Sequence, residues 1–460
     1  MSMLVEWNAV LGQQDWLGIL EIARKLLGFC RKHVTYLRYG LRPDEAYKPR
    51  LDVRKEACAF FERVDSEELD EEEVGELVEL MVRWSARHPA PLVAHAVALG
   101  LDDALHARIH GMFRGRHSFT VQANELIPVL DVPCKGQLKG EQNSDPHNID
   151  IPFDGTRNLQ LMPETLEHAV TFSYELDDAL AGLGLQSRIG VGLPNGQIKT
   201  DSAKSELQWE RYTRNDCPLF RNVRPSDEEE QRRRLLDLLD DAVRKRVYLL
   251  ILPELSVTPG LLDAVQEHLQ RFGTRAVPPA IVAGSCHLED EHARLRNRSL
   301  LLLPHARHVL HDKFEPFSFP DRRDDNTEPE SYRHEDIHRE PTLRIFVSGQ
   351  WSWVTLICKD AMPPRTVNLI EALRPRLVVV PAMSPKTQPF DTNARTFATH
   401  AQTTTIVANA ADEEVPDAQV VVVSRPRRKE SRFFKALRRS KVSPPCLVLF
   451  DSGKRLYFRS

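Results

Sequence analysis

The chain has 460 residues, of which 41% are hydrophobic and 28% charged, and its formal net charge is −4. This length suits two or three domains, the composition is that of a globular protein, and the near-balanced charge excludes a global attraction to nucleic acid or membranes. The seven cysteines show no framework spacing, no apolar run reaches ~18 residues, and no Lys or Arg precedes an apolar core at the N-terminus. We therefore expect a cytoplasmic protein with reduced thiols and no membrane association.

Residues 1–110 predict a mainly helical N-terminal domain. A first helix is predicted after Asp15, a candidate N-cap, and a second starts at the acidic run 70–73, where the helix dipole favours negative charge. A third helix follows the breaker at 88–91. We expect a small bundle that packs on a catalytic domain or binds a partner. The apolar positions at helical spacing are Leu17, Leu20, Ala23 and Leu27 in the first helix and Val74, Leu77, Val78, Met81 and Val82 in the second.

Residues 111–185 form a mixed region, which we interpret as a linker or an elaboration of the first domain. Residues 136–155 are polar and rich in turn formers, and this composition predicts a long loop. Residues 163–184 are compatible with a helix.

A third region, residues 186–460, begins with a predicted strand over 187–192. After a connection over 194–225, Ser226 is a good N-cap for a helix. That helix leads into 247–252, six mostly apolar and β-prone residues that predict a buried strand of the parallel-sheet type. Strand, helix and strand in this order indicate a βαβ unit and an α/β fold. The apolar face of the helix comprises Leu235, Leu238, Leu239, Ala242 and Val243.

Three polar residues of this region each follow a predicted strand. Glu254 lies just beyond 247–252, Lys313 follows a short apolar run, and Cys358 ends the strand 354–357. Ligands of open α/β sheets gather beyond the carboxyl ends of strands, which favours a functional site over a capping role for these residues. Glutamate, lysine and cysteine supply a base, a cation and a nucleophile.

In order and placement these three residues resemble the Glu–Lys–Cys triad of the carbon–nitrogen hydrolase (nitrilase/amidase) superfamily. Segments 281–285, 297–304, 377–385 and 397–409 also resemble strands and loops of that family, and the likeness runs from near Ser187 to the C-terminus. The resemblance implies an α-β-β-α sandwich, here preceded by the helical domain. It implies hydrolysis of a small-molecule amide or nitrile through a Cys thioester, without metal or cofactor, by a homo-oligomer.

The resemblance also implies a role for each residue of the triad. Glu254 is the general base, Cys358 the nucleophile, and Lys313 the cation that holds the oxyanion, with the backbone N–H of Lys359 as a second donor. The neighbouring Lys313 ammonium is expected to favour the thiolate form of Cys358 and the ionised form of Glu254.

The family often has a second glutamate between the lysine and the cysteine. The candidates here are Glu328 and Glu330, with Glu315 less suited. The chain also departs from the family pattern after the nucleophile: Lys359 replaces an aromatic residue, and residues 361–362 lack the usual arginine. These departures concern the identity of the substrate, because the expected donor at position 359 is a backbone group.

His334-Glu-Asp-Ile-His338 matches the His-Glu-x-x-His pattern of zinc proteases. That pattern binds zinc only on a helix, where both imidazoles face one metal. This stretch is highly charged, is closed by Pro341, and lacks an evident third ligand. We therefore expect no metal site here.

The segment 425–441 contains nine Lys or Arg residues and interrupts the last predicted strands, with Phe433, Phe434 and Leu437 among the charges. A solvated basic helix is the favoured interpretation, and contact with nucleic acid is the alternative. Residues 446–457 then predict a closing hairpin that turns at 451–453.

Two other functions stay open from the sequence. In the first, the protein is a regulatory or partner-binding component of a multi-component bacterial system, for example a defence system, and binds protein or nucleic acid through 1–110 or 425–441. In the second, the thioester passes its acyl group to a nucleophile other than water, as in an N-acyltransferase.

Overall fold

The structure of the protein is a computed structural model. Over the residues it describes, the chain forms two compact units, Met1–Leu166 and Glu167–Ser460. None of the helices in the described ranges combines the length and apolar character needed to cross a membrane. The described residues are 7, 10–11, 17–37, 43–106, 108–128, 158–176, 188–198, 205–272, 279–321, 331–348, 351–424 and 434–451.

The first unit contains helices and short strands. Its described helices are α1 (Ile19–Lys32), α2 (Pro43–Arg63), α3 (Glu71–Ser85), α4 (Ala90–Ala104) and α5 (Ile109–Arg114). Its described strands are β1 (Leu17–Gly18), β2 (Glu68–Leu69), β3 (Ser118–Val121), β4 (Leu126–Pro128) and β5 (Leu159–Leu161).

Helix α3 begins with a capping box, which accounts for the acidic run at its start. Asp70 accepts a hydrogen bond from the Glu73 N–H at 2.9 Å, and the Glu73 side chain accepts from the Asp70 N–H at 3.0 Å. Helix α1 starts after Gly18, and the cap predicted at Asp15 lies outside the described residues. Helix α2 was not predicted, because it contains Pro49, a residue that normally marks a helix boundary.

The second unit has a mixed α/β fold. In chain order its described strands are β6 (Ala169–Ser173), β7 (Arg188–Leu193), β8 (Leu207–Arg214), β9 (Cys217–Pro225), β10 (Leu249–Ile251), β11 (Ala280–Val282), β12 (Cys286–Glu289), β13 (Leu295–Leu303), β14 (Ala306–Asp312), β15 (Ser318–Asp321), β16 (Ser331–Glu335), β17 (Thr342–Ser348), β18 (Trp351–Thr355), β19 (Leu377–Met383), β20 (Thr404–Ala410), β21 (Gln419–Ser424), β22 (Phe434–Arg438) and β23 (Cys446–Asp451). Its described helices are α6 (Glu228–Arg244), α7 (Pro259–Arg271), α8 (Pro364–Leu373) and α9 (Gln388–His400), with short 3-10 helices at Cys358–Ala361 and Arg439–Lys441.

One large sheet has the strand order β12–β13–β11–β10–β7–β23, with β14 paired to β13. Strand β10 runs parallel to β7 and β11, so the predicted βαβ unit through α6 is confirmed. Helices α6 and α7 cover one face of this sheet, where Leu235 and Leu238 pack with Leu250 and Ile281.

A second large sheet has the order β22–β21–β20–β19–β18–β17–β6 in this unit. Strand β6 pairs in parallel with β17, so this unit begins before the predicted boundary at residue 186. The helix predicted over 163–184 is wrong at 169–173, because Val170 and Phe172 alternate into the core with the period of a strand. Helix α9 packs on β20 and β21, and α8 packs on α9.

The two large sheets face each other across a continuous apolar core. Val191, Ile251 and Val282 of the first sheet pack with Trp353 and Val379 of the second. With α6 and α7 on one outer face and α8 and α9 on the other, the unit has four layers in the order α-β-β-α. This packing joins the carboxyl ends of strands from both sheets at one place.

A smaller sheet has the order β15–β16–β9–β8. Its hairpin β8–β9 accounts for most of the connection 194–225, which was predicted without secondary structure. Strand β9 pairs in parallel with β16, with Phe220 opposite Glu335.

The described part of the basic segment is not the predicted helix. Residues 434–438 form β22, which pairs antiparallel with β21, and Arg439 is buried and donates to the carbonyl of Val442 at 2.7 Å. Hydrogen bonding to β21 therefore makes 434–438 a strand. Residues 425–433 lie outside the described residues. Strand β23 pairs antiparallel with β7, and the turn predicted at 451–453 lies mostly outside the described residues.

Candidate active site

Glu254, Lys313 and Cys358 each follow the carboxyl end of a strand, and the structure brings them together. They follow β10, β14 and β18, and their exposed fractions are 3%, 1% and 2%. The Lys313 Nζ lies 2.6 Å from Glu254 Oε1, and the Cys358 thiol lies beside both groups and interacts electrostatically with them. A base, a cation and a nucleophile thus share one dry site.

A second buried carboxylate completes this site. Glu335, 4% exposed, lies at the end of β16 with its Oε2 2.6 Å from Lys313 Nζ. The amide of Asn297 on β13 bridges the two carboxylates, donating to Glu254 at 2.9 Å and to Glu335 at 2.7 Å. One ammonium and one amide therefore hold two carboxylates in fixed positions.

The glutamate that contacts Lys313 here, Glu335, is not among the candidates predicted from the sequence. Glu315 forms an ion pair with Arg365 instead, and the candidates Glu328 and Glu330 lie outside the described residues. Glu335 was missed because it is the Glu of the His-Glu-x-x-His stretch and was read only as part of a metal motif. The signal that could have found it is its position between Lys313 and Cys358, the interval in which the resembling family carries its second glutamate.

The His-Glu-x-x-His stretch does not have the geometry of a zinc site. Residues 331–335 form a strand rather than a helix, and His334 contacts Ser318 at 2.8 Å. No group of His, Cys, Asp or Glu in the described ranges could hold a metal ion.

The backbone around Cys358 presents the thiol at a sharp turn. Cys358 has φ +48°, in the left-handed region that side chains other than glycine rarely occupy, and it opens the short 3-10 helix. Strain of this kind is retained where the surrounding structure holds it in place. The Met383 N–H, at the end of β19, donates to Glu254 Oε2 at 3.1 Å and is also close to the thiol.

Asp360 ties the Lys313 loop to this turn. Its carboxylate accepts from the Glu315 N–H at 2.7 Å and the Phe314 N–H at 3.2 Å, and its other oxygen lies 2.7 Å from His311 Nε2. Both His311 and Asp360 have fully buried side chains. Asp360 therefore connects the chain that follows Cys358 to the chain that follows Lys313.

The two site carboxylates have opposite electrostatic environments. Burial and the charge of Glu335 raise the pKa of Glu254 above its ordinary value, and Lys313 offsets this only in part. Burial would also raise the pKa of Glu335, but Lys313 and the hydrogen bond from His287 lower it well below its ordinary value. A carboxylate with a raised pKa is suited to accept and return a proton, whereas a carboxylate that stays ionised is suited to hold the Lys313 ammonium in place.

Lys313 favours the thiolate form of Cys358, as expected, but the other surroundings of the thiol outweigh this effect. Burial and the adjacent Glu254 raise the pKa of the thiol well above its ordinary value, and Lys313 and the Met383 N–H offset this only in part. Burial would lower the pKa of Lys313, but the surrounding carboxylates outweigh it and keep the amine charged. The thiol therefore has to lose its proton as it attacks, and Glu254 is the adjacent acceptor.

No family model and no curated protein matches the chain. Similar solved structures include a CN-hydrolase superfamily protein from Xanthomonas campestris, at 16% identity over 58% of this chain and 90% of that one, with a TM-score of 0.37. An amidase from Nesterenkonia sp. has 15% identity over 58% and 90%, with a TM-score of 0.37. A nitrilase-superfamily member from Saccharomyces cerevisiae has 13% identity over 56% and 93%, with a TM-score of 0.35. They belong to the superfamily that the motifs resemble, but at these identities and TM-scores the likeness carries no argument about activity.

Proposed function

We propose that the second unit hydrolyses a non-peptide carbon–nitrogen bond of a small amide or nitrile through a thioester on Cys358. The observation that carries this proposal is the contact of one buried ammonium, Lys313, with two carboxylates at 2.6 Å each, beside the buried thiol of Cys358. Burying three charges without access to water is costly, and such sites are retained where they perform chemistry.

In the acylation step the Cys358 sulfur attacks the carbonyl carbon of an amide. The thiol proton moves to Glu254 while the carbonyl electron pair moves to oxygen. As the tetrahedral intermediate collapses, the C–N bond breaks, its electron pair goes to nitrogen, and Glu254 returns the proton to the departing amine. The product is a thioester on Cys358.

In the second step Glu254 takes a proton from water, whose oxygen attacks the thioester carbon. The C–S bond then breaks and the sulfur recovers the proton, which restores the resting thiol. The same base serves both steps, in agreement with its raised pKa. Glu335 stays ionised throughout and keeps Lys313 charged.

The oxyanion of both intermediates needs preorganised donors. Lys313 supplies a fixed ammonium, and the backbone N–H of Lys359 follows the nucleophile directly in the turn. The Lys359 side chain is directed elsewhere, since its Nζ donates to the carbonyl of Pro316 at 3.1 Å. The departure from an aromatic residue at 359 therefore leaves the backbone donor in place.

The proposal is tested by stopped-flow acylation with p-nitrophenyl acetate, which reports a nucleophilic thiol without knowledge of the natural substrate. We expect a burst of p-nitrophenolate with acetyl on the Cys358 peptide by mass mapping. Cys358→Ala should abolish the burst, and Glu254→Gln should slow it by about 10²-fold or more. Cys446→Ala, which removes a half-buried thiol of the same unit, is the control and should leave the burst unchanged.

Ammonia release from a panel of small amides and nitriles then identifies the substrate class. Added glycine decides between water and another acceptor: acetylglycine formed above the background measured with Cys358→Ala shows that an amine intercepts the thioester. If the full-length protein gives no burst that depends on Cys358, and none that slows in Glu254→Gln, the hydrolase proposal is wrong. The partner-binding function would then be the one to pursue.

A further inference from the structure

The hairpin β8–β9 is hydrogen-bonded to the strand that carries Glu335. Leu219 and Phe220 of β9 pair with His334 and Glu335 of β16, and the Asp336 N–H donates to the Phe220 carbonyl at 2.9 Å. This hairpin lies in the connection that is longer than the resembling family usually carries. The hairpin therefore places residues from outside the triad motifs next to Glu335.

His287 on β12 connects the hairpin to the catalytic centre. Its Nδ1 lies 3.0 Å from the Asn222 amide nitrogen of β9, and its Nε2 lies 3.1 Å from Glu335 Oε1. The side chain is 2% exposed, as is that of Glu335. The ring therefore spans the distance between a backbone amide of the hairpin and the second carboxylate, without access for water.

The two contacts define the tautomer of His287. A backbone N–H only donates, so Nδ1 accepts from Asn222 and the ring proton resides on Nε2, which donates to Glu335. The Asn222 carbonyl is 3.3 Å from Nδ1, and it is the partner that a protonated ring would use instead. In the neutral form the hairpin thus directs the Nε2–H at the carboxylate.

Glu335 accepts four hydrogen bonds in all. Oε1 accepts from Asn297 at 2.7 Å and from His287, and Oε2 accepts from Lys313 at 2.6 Å and from the Phe317 N–H at 2.9 Å. A carboxylate has about four acceptor sites, so these donors fill it. His287 is the donor whose own orientation is set by the hairpin.

We propose that His287, oriented by the Asn222 backbone of the hairpin, is a positioning residue that holds Glu335 and thereby the ammonium of Lys313 in the catalytic arrangement. This inference rests on the proposed function. Loss of the His287 donor leaves Oε1 with Asn297 alone, so Glu335 turns toward Lys313 and draws Nζ away from the oxyanion position. The chemical step suffers, while substrate binding is largely retained.

Two substitutions separate positioning from simple packing. His287→Gln places an amide NH₂ near the Nε2 position and keeps the donor to Glu335. His287→Asn places an oxygen near the Nδ1 position, and so keeps the Asn222 contact but loses that donor. The two variants therefore differ chiefly in the hydrogen bond to Glu335.

The acylation burst is measured against pH for both variants. The groups that face Glu335 are His287, Lys313 and, across the ammonium, Glu254 and Cys358. Loss of the His287 donor favours the protonated form of the Glu254–Glu335 pair. The acidic side of the pH–rate profile of acylation should therefore move to higher pH. We expect the Asn variant to acylate about tenfold more slowly with a raised limb, and the Gln variant to stay within about threefold of wild type.

Equal rates and unchanged limbs in the two variants would show a packing role and overturn the inference. A second readout does not depend on catalysis: ¹⁵N-imidazole NMR of the full chain, with the His287 signal assigned by its loss in His287→Gln. A ring whose proton resides on Nε2 while Nδ1 accepts supports the inference, and an Nδ1–H tautomer overturns it. If the wild type shows no acylation burst, the proposed function is wrong, but the NMR signal of the His287 ring still identifies its tautomer.

Discussion

Replacing Lys313 by methionine removes the one charge shared by two buried carboxylates. Its Nζ lies 2.6 Å from an oxygen of Glu254 and 2.6 Å from an oxygen of Glu335, so those oxygens are no farther apart than twice that distance. Both side chains are at most 4% exposed, so water does not replace the ammonium. Removing one partner of a buried pair costs about 3–5 kcal/mol, and here the remaining pair also repels, so we expect the upper end of this range.

The loss should depend on pH. Without Lys313, burial raises the pKa of both Glu254 and Glu335 in the folded state. A carboxyl whose folded pKa exceeds its unfolded pKa destabilises the fold above the unfolded value, and this penalty is relieved as pH falls through the folded pKa. The difference in unfolding free energy between wild type and variant should therefore be smaller at about pH 5 than at about pH 7.5.

The free energy of unfolding of the second unit is measured by urea titration with pulse labelling of Cys286. That thiol lies in β12 and is 3% exposed, so it is labelled when this unit unfolds. Lys359→Met is the matched control, because Lys359 donates only to a carbonyl, and it should cost about 1 kcal/mol. Equal losses for Lys313→Met at both pH values, or a loss no larger than that of the control, would refute the electrostatic account.

Three further outcomes are expected. The acylation rate of Cys358 should fall as pH drops through the raised pKa of Glu254, so its acid limb lies above the ordinary carboxyl value of 4.5, and Glu254→Gln should abolish the limb. Asp360→Asn should change the unfolding free energy by about 1 kcal/mol or less: His311 Nδ1 has no hydrogen-bond partner among the described residues, so the ring proton can move there and Nε2 can accept from the new amide. Asp360→Leu should cost about 3 kcal/mol, and urea titration separates the two variants. Asn297→Leu should cost about 1–3 kcal/mol in the same titration and slow acylation, since it removes the donor shared by two carboxylates.

The triad positions were predictable because strand ends leave a local pattern. Glu254 and Cys358 each follow an apolar β-prone run that pairs in parallel within its own sheet, and the packing of the two sheets on each other brings the two carboxyl ends together. The order of strands in the two sheets was not predictable from these runs. It depends on pairings between segments far apart in the chain, such as β6 with β17.

Glu335 and the protonation of Cys358 were beyond the same reasoning for a different physical reason. A charge motif gives no information about burial, and both pKa directions depend on burial. The effect expected of Lys313 on Cys358 has the right direction, but burial and the adjacent Glu254 outweigh it. Neither burial nor the adjacency of Glu254 can be counted from charges in the sequence.

The catalytic groups come from two different sheets. Glu254 and Lys313 follow β10 and β14 of one sheet, whereas Cys358 and the Met383 N–H belong to β18 and β19 of the other. One residue along a strand is about 3.3 Å, so a slip of the sheets by a single step would separate the thiol from its base. We therefore expect the rate of the proposed acylation to report on how the two sheets pack on each other, and a compound bound between the sheets to slow that reaction without occupying the site beside Cys358.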